Sequence, residues 1–138
     1  MEYPVSRDSA SCEEALQNAK LLYLKLGRVW CPTLKDFVIF NSIGFRHLMR
    51  KRGKRRREDE QMRRFALLVH AKNIVADPKA TFIHREKETF MVSKWHGKKA
   101  GKTTKADFWA IKSQRTNHSV TLLVRQLKKG QKHFFSIY

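Results

Sequence analysis

Apolar and polar residues alternate along three short segments near the C-terminus of the chain. The segments are DFWAIKS, SVTLLVRQL and HFFSIY, and the short polar connections QRTNH and KKGQK separate them. Successive side chains of a β-strand point to opposite faces of the sheet, and connections of this kind are typical of hairpins. The alternation therefore predicts three neighbouring antiparallel strands.

The same alternation divides the three strands into two faces once Trp109 and Ile111 are placed in the core. The core layer then also contains Val120, Leu122, Val124, Phe135 and Ile137. The opposite face carries Phe108, Ala110, Lys112, Thr121, Leu123, Arg125, Phe134, Ser136 and Tyr138. Aromatic and cationic side chains together suit a nucleobase and its phosphate, although an antiparallel sheet often has a solvated face with no further role.

The N-terminal half of the chain has helical periodicity instead. Residues 11–27 predict a first helix, which begins with a capping box of Ser11 and Glu14 and ends at Gly27. The following segment RVWCPT is expected to be a connection.

Residues 37–76 are expected to hold a strand lead-in, DFVIF, and then two basic helices. Asn41 or Ser42 can cap the first of these helices. The second runs through EDEQMRRFALLVHA, and its spacing predicts a buried stripe. The predicted stripe consists of Met62, Phe65, Ala66 and Val69.

Residues 80–138 are expected to form the sheet. TFIHRE and TFMVSKW predict a hairpin around KE, and the Gly- and Lys-rich stretch HGKKAGKTTKA predicts a loop. The chain is 41% hydrophobic, which is enough for a core. The sequence thus predicts one domain over residues 1–138 with an α+β fold, in which N-terminal helices precede an antiparallel β-meander sheet of four to five strands.

The charge of the chain favours a polyanionic partner. Thirty Lys and Arg residues against twelve Asp and Glu give a formal net charge of +18. Such a field attracts nucleic acid, because each neutralised phosphate releases counterions. An anionic membrane is the competing polyanion, but the basic run lacks the apolar face of an interfacial helix, and no segment approaches the roughly 18 apolar residues of a membrane span.

The basic residues are concentrated in FRHLMRKRGKRRR, residues 45–57, where eight of thirteen positions are Lys or Arg. A charge run is often a solvated tail, but this one lies between two amphipathic helices and is expected to be ordered. The expected nucleic-acid contacts are Arg46, Arg50, Lys51, Arg52, Lys54, Arg55, Arg56 and Arg57, together with Phe134 from the sheet.

Cys12 and Cys31 have no partners at metal-ligand spacing, so no metal site and no cofactor is expected. The sequence leaves open whether the two thiols form a disulfide.

The stretch from Phe37 to Tyr138 resembles the phage- and toxin-associated members of the barnase, EndoU, colicin and RelE-like ribonuclease superfamily. The resemblance lies in a short helix carrying His47, an Arg-rich helix ending near Asp-Pro, and the terminal run FWAIKS…VTLLVRQLKKGQKHFFSIY. It implies a ribonuclease that cleaves RNA without metal through the 2′-hydroxyl, leaving a 2′,3′-cyclic phosphate. That reaction needs a proton acceptor, a proton donor and a group that stabilises the phosphorane.

Carried over to this sequence, the resemblance implies His47 as acid or base and Lys112 and Arg125 as phosphate-holding cations. It also implies Ser136 as the hydroxyl that positions the phosphate and Tyr138 as a stacking or proton-transferring group. His133 competes with His47, although the predicted register puts it on the core side. No Glu or Asp lies on the predicted basic face, so the glutamate base of barnase has no counterpart there.

The leading hypothesis is therefore an endoribonuclease toxin or toxin-like effector acting on tRNA or another structured RNA, with an acidic immunity protein or antitoxin as partner. The alternative is a non-catalytic RNA- or DNA-binding module, ribosome- or phage-associated. Action is expected in the cytoplasm, where RNA is found, or in the cytoplasm of a target cell if the toxin is delivered.

Overall fold

The computed structural model describes residues 5–51, 53–95, 98–116 and 119–138 of the chain. The side chains of residues 5–11, 90–95 and 98–100 are outside this description. The helices are α1 (Val5–Leu26), α2 (Ser42–Met49), α3 (Glu58–Leu67) and α4 (Ala71–Ala76), and a 3-10 turn (Leu68–His70) joins α3 to α4.

The strands form two sheets. The strands are β1 (Arg28–Cys31), β2 (Asp36–Ile39), β3 (Arg50–Lys51), β4 (Lys54–Arg55), β5 (Thr81–Trp95), β6 (Lys98–Lys112), β7 (Leu122–Leu127) and β8 (His133–Ile137). Six of them make one sheet in the order β1-β2-β8-β7-β6-β5, and β3 and β4 form a small hairpin. The α+β class is confirmed, but the described sheet has six strands rather than four or five, and β2 joins β8 in parallel.

The helical half differs from the prediction at its boundaries. Helix α1 starts at Val5, so Ser11 and Glu14 lie inside it, whereas Gly27 at φ +53° ends it as predicted. The segment after Gly27 is strand β1, because it pairs with β2 residue by residue from Arg28 to Cys31. Asn41 caps α2, with its side-chain oxygen accepting from the Gly44 N–H at 3.3 Å.

The residues that are buried on α3 are only partly the ones that the sequence predicts. Phe65 is buried as expected, but Gln61 and Leu68 are its buried neighbours, while Ala66 is exposed and Val69 is 59% exposed. Gln61 tolerates burial because its amide nitrogen donates to the Arg56 carbonyl at 2.7 Å.

The first hairpin of the sheet was predicted wrongly. Strand β5 runs unbroken from Thr81 to Trp95, and it pairs with β6 from Thr81↔Lys112 to Trp95↔Lys98. From Lys98 onward, the Lys- and Gly-rich stretch expected to be a loop is the first part of β6, and its first two residues lie outside the described residues. Cross-strand pairing over fifteen positions supplies the hydrogen bonds that local propensity alone did not indicate.

The core lies between the helices and one face of the sheet. Tyr23, Phe40 and Phe134 form an aromatic centre, in which the Phe40 and Phe134 rings stack at 5.1 Å. Around it pack Val38, Leu48, Ile74, Val75, Ile111, Leu122, Val124 and Ile137, all fully buried.

A bulge between β7 and β8 changes the predicted register of the last strand. Leu123 pairs with Ser136 and Val124 with Phe134, so Phe135 is the extra residue. Phe134 is fully buried, which contradicts its prediction as a nucleic-acid contact, and Phe135 leaves the core layer to which it was assigned. His133 pairs with Arg125 on the face opposite the core.

Cys12 and Cys31 are free thiols, so they form no disulfide. No helix in the described part of the chain is both long enough and apolar enough to cross a bilayer.

Candidate functional site

The bulged residue Phe135 is the centre of a cluster of basic side chains. The Phe135 ring lies 3.9 Å from the His47 ring and 6.4 Å from the His133 ring, measured between centroids. The guanidinium of Arg125 sits over the same ring at 4.5 Å. The bulge thus brings together residues from α2, β7 and β8, which we call the Phe135 cluster: His47, Arg125, His133 and Phe135.

Helix α2 holds His47 in this position because it packs closely on β8. A Cβ placed on Gly44 would meet the carbonyl oxygen of Phe134 and would lie 2.6 Å from the Tyr23 hydroxyl, so only glycine allows this approach. One turn further along, the Nδ1 atom of His47 is buried and has no hydrogen-bond partner among the residues that the structure describes.

Arg125 is the buried cation of the cluster. It is 4% exposed and His133 is 5% exposed, so both have lost most of their hydration. Its Nε donates to Nε2 of His133 at 3.0 Å, and its Nη1 donates to the Thr89 hydroxyl at 3.1 Å. Residues on β5, β7 and β8 therefore fix the direction of this guanidinium.

A second arginine joins α3 to the end of β8. Arg64 donates through Nη1 to the Ser136 hydroxyl at 2.7 Å and to the Ile137 carbonyl at 3.0 Å. Its Nε bonds Glu60 at 2.9 Å. Ser136 is 6% exposed, and its hydroxyl is held against this guanidinium.

Burial and positive charge keep both histidines of the cluster neutral. Burial, followed by the charges of Arg56, Arg125 and Arg64 and by His133, lowers the pKa of His47 from 6.5 to about 4. Burial and then Arg125 lower the pKa of His133 to about 4, against a backbone hydrogen bond at Gln131 that raises it. Both rings are therefore unprotonated at pH 7.

A cleft of about 600 Å³ opens on the sheet face beside Phe135. Phe108, Leu123, Tyr138 and Ile83 give it an apolar floor. Its other lining residues are Lys51, Arg85, Lys87, Glu88, Thr89, Ala110 and Phe135. Apolar rings with cations at the rim match the mixture that unpaired nucleotides require.

The predicted site residues divide into three groups. His47, Arg125 and Ser136 lie in or next to the Phe135 cluster, and Tyr138, which is 42% exposed, lines the cleft. Lys112 does not join them, because Arg125 pairs with Phe108, four residues earlier on β6, or roughly 13 Å along the strand. Lys112 is exposed at the end of β6, where it pairs with Thr81.

The predicted basic rim is mostly on the surface. Arg46, Arg50, Lys51, Lys54, Arg55 and Arg57 are exposed, and Arg52 lies outside the described residues. Arg56 differs, since it is half-buried and its Nε donates to the His47 carbonyl at 3.0 Å. A basic hollow of about 630 Å³ runs along this rim, and Lys51 lines both the hollow and the cleft.

Several residues of the site were not predicted. Arg64, Thr89 and Phe135 reach it through contacts between distant parts of the chain, and nothing in the local sequence indicates them. Glu88 borders the cleft, but it pairs with Lys105, and alternation puts its side chain on the opposite face of the sheet. The sequence offers His133 as a competitor of His47 but places it on the core side of the sheet. Its pairing with Arg125 puts it on the other face.

Among the residues that the structure describes, no group of three or more His, Cys, Asp or Glu side chains is arranged to hold a metal ion. No protein-family model, curated protein sequence or solved structure matches this chain.

Proposed function

We propose that the protein is a metal-independent endoribonuclease, and the observation that carries this proposal is the Phe135 cluster. Two neutral histidines and a buried arginine surround one aromatic ring at the edge of a cleft that suits a nucleotide. Proton transfer and phosphorane stabilisation are the two needs of 2′-hydroxyl attack, and these side chains supply both.

In the proposed reaction, one histidine accepts the proton of the 2′-hydroxyl, and the 2′-oxygen forms a bond to phosphorus. The bond to the 5′-oxygen breaks, and that oxygen takes a proton from the other histidine, leaving a 2′,3′-cyclic phosphate and a 5′-hydroxyl. Arg125 donates to the phosphorane oxygens, while Arg64 contributes positive charge from its fixed place beside Ser136.

The histidine that acts as the acid must carry a proton, and a bound phosphate favours this protonated form. Burial is the main cause of both low histidine pKa values, and positive charge adds to it, from Arg125 at both rings and from Arg56 and Arg64 at His47. A phosphate next to Arg125 and Arg64 offsets part of this positive charge. Substrate binding therefore raises both pKa values toward neutrality.

The test incubates purified protein with total RNA in excess EDTA and identifies the fragment ends. We expect discrete fragments with cyclic-phosphate and 5′-hydroxyl ends, and a loss of cleavage of about 100-fold or more in His47→Ala and His133→Ala. Intact RNA at high protein concentration would contradict the proposal, and fragments formed only with added magnesium would remove the mechanism.

The substrate class that we propose is tRNA or another structured RNA, with activity of the toxin kind. An acidic immunity protein or antitoxin is the matching partner, because a negative surface over the cleft would pair with Lys51, Arg85 and Lys87 and exclude RNA. A chain of net charge +18 needs such a partner wherever it is made alongside RNA that must stay intact.

A non-catalytic RNA-binding module is the second candidate. The exposed rim from Lys51 to Arg57 favours it, because phosphate contact by these side chains requires no chemistry in the Phe135 cluster. Under this alternative, the histidine variants bind RNA as the unmodified protein does, and neither cleaves it.

A further inference from the structure

Arg85 lies two strands away from Arg125, in the same row of residues across the sheet. It pairs with Phe108 on β6, and Phe108 pairs with Arg125 on β7, so the three side chains share the cleft face. Neighbouring strands are about 4.8 Å apart, which puts the Cα atoms of the two arginines about 10 Å apart. Arg85 therefore lines the cleft on the wall opposite the Phe135 cluster.

The donors of Arg85 are free, in contrast to those of the other arginines of the site. Arg125 bonds His133, and Arg64 bonds Ser136. Arg85 is exposed, and it has no hydrogen bond or ion pair with any of the residues that the structure describes. The acids of β5 stand at alternate positions that point to the opposite face, so they do not compete for it. Its N–H donors are thus available to a ligand in the cleft.

The floor between the two walls of the cleft is apolar. Ile83, Ala110 and Leu123 form the next row across β5, β6 and β7, beside Phe108. Ala110 has the smallest side chain of this row, so the floor is lowest at its middle. A nucleobase that lies on these side chains contacts them with its apolar face, and its polar edge points toward the walls. Recognition of the base then depends on the donors and acceptors that the walls carry.

The separation of the two arginines gives them different roles. A nucleotide whose phosphate is held by Arg125 extends its sugar and base over the floor, so Arg85 meets the edge of the base. The planar fork of an arginine fits two adjacent acceptors. Guanine presents two such acceptors, N7 and O6, on its major-groove edge, whereas adenine and cytosine have an amino donor there and uracil has a single acceptor.

We infer that Arg85 selects a guanine in the cleft by donating two hydrogen bonds to its N7 and O6 atoms. The inference rests on the proposed function in taking Arg125 as the group that holds the scissile phosphate. Lys87 stands two residues further along the same face of β5 and also lines the cleft. Its ammonium is a point charge that attracts phosphates without distinguishing the bases, so it serves as the matched control.

The test measures the binding of four pentanucleotide RNAs that carry guanine, adenine, cytosine or uracil at the centre and uridines elsewhere. Every protein carries His47→Ala, so that binding is measured without cleavage. Arg85→Lys keeps the positive charge and removes the fork, whereas Lys87→Gln removes a charge from the same wall and leaves the fork in place. Fluorescence anisotropy gives the affinities at several salt concentrations.

With Arg85 present, we expect the guanine RNA to bind about tenfold more tightly than the other three, in the range of one bidentate contact to a base. Arg85→Lys should reduce this preference to within about twofold, while the affinity for the uracil RNA changes by less than about threefold because the charge is kept. Lys87→Gln should weaken the binding of all four RNAs alike and lower the salt slope by about one.

Equal binding of the four RNAs, or a preference for another base, would overturn the inference. So would a guanine preference that survives Arg85→Lys, since another residue would then select the base. Equal losses on all four RNAs with Arg85→Lys would make Arg85 a phosphate contact instead. Because no cleavage is measured, intact RNA in the EDTA test would remove the nuclease proposal without deciding this one.

Discussion

The Nε atom of Arg125 lies 3.0 Å from the Nε2 atom of His133. An arginine side chain can only donate, so Nε2 must accept, and the proton of the neutral ring is therefore on Nδ1. The lone pair that could take a proton is thus occupied by the Arg125 N–H. In the reaction that we propose, a phosphate that draws Arg125 toward it would free this lone pair and so couple substrate binding to proton uptake by His133.

Arg125→Lys should lower cleavage by about 100-fold or more, because an ammonium keeps the charge but cannot bond His133, Thr89 and a phosphorane in one plane. RNA affinity should fall by less than about threefold. The measurement is single-turnover cleavage together with anisotropy, and Lys72→Ala on the exposed side of α4 is the control. Cleavage within tenfold of the unmodified protein would remove Arg125 from the proposed phosphorane contact.

Ser136→Ala should reduce cleavage by less than about tenfold, in contrast to the catalytic role predicted from the sequence. The hydroxyl is buried against Arg64, which keeps its bonds to Ile137 and Glu60 when the hydroxyl is removed. The expected cost is a decrease of about 1 kcal/mol in the free energy of unfolding, read from urea denaturation. A complete loss of cleavage in a folded Ser136→Ala protein would instead place this hydroxyl on the substrate.

The alternation of the C-terminal strands predicted correctly that Arg125, Ser136 and Tyr138 leave the core side of the sheet. It could not predict the bulge at Phe135, because one extra residue shifts the pairing without altering the composition of the strand. The exchange of Phe134 and Phe135 between the two faces follows from that single residue. The sequence therefore predicted which strands carry the site, but it missed Phe135, the ring at the centre of the cluster.

Contacts between distant residues account for most of what the sequence did not show. Arg64 and Ser136 are 72 positions apart, and their hydrogen bond depends on how α3 packs against β8. The first half of β6 has the composition of a loop, yet pairing with β5 makes it a strand. In each case tertiary structure outweighs the local preference on which the sequence argument depends.

Tyr138→Ala should weaken binding of unpaired RNA by about 1 to 3 kcal/mol, the usual contribution of one aromatic ring stacked on a base. Tyr138 lines the cleft and is 42% exposed, so its ring is open to a base. The matched control is Trp30→Ala, since Trp30 is 48% exposed on β1, at the far edge of the sheet. Equal effects of the two substitutions on affinity would show that the cleft is not the stacking surface.

The pH dependence of cleavage should differ between free and bound protein. In the free protein both histidine pKa values are about 4. The state with one protonated and one neutral ring is therefore most populated at acidic pH, and kcat/KM should peak below pH 6. The maximum of kcat should lie at higher pH, because the bound phosphate raises both pKa values. Initial rates from pH 4 to pH 8 give both profiles, and identical maxima near neutral pH would rule out the proposed coupling.

His47 and His133 should also make the protein less stable as the pH falls from about 6.5 to about 4. In this window the unfolded histidines, with an ordinary pKa of 6.5, bind protons that the folded ones, with pKa values of about 4, do not. Protons therefore favour the unfolded state, by at most about 1.4 kcal/mol per pH unit for each histidine and by less at the half-buried His47. The lowered pKa values of Asp36, Glu60 and Asp77 act in the same direction but at lower pH, because the unfolded carboxylates take up protons around their ordinary pKa values of 3.8 to 4.5.

Thermal unfolding at pH 7 and pH 5 separates this effect from general acid sensitivity. The double variant His47→Asn, His133→Asn should lose less of its melting temperature between the two pH values than the unmodified protein, although it starts from a lower one because two packed rings are gone. Lys72→Ala should keep the full pH dependence. If the double variant and the unmodified protein lose the same number of degrees, the two buried histidines do not take up their protons on unfolding, and the neutral state assigned to them in the Phe135 cluster is wrong.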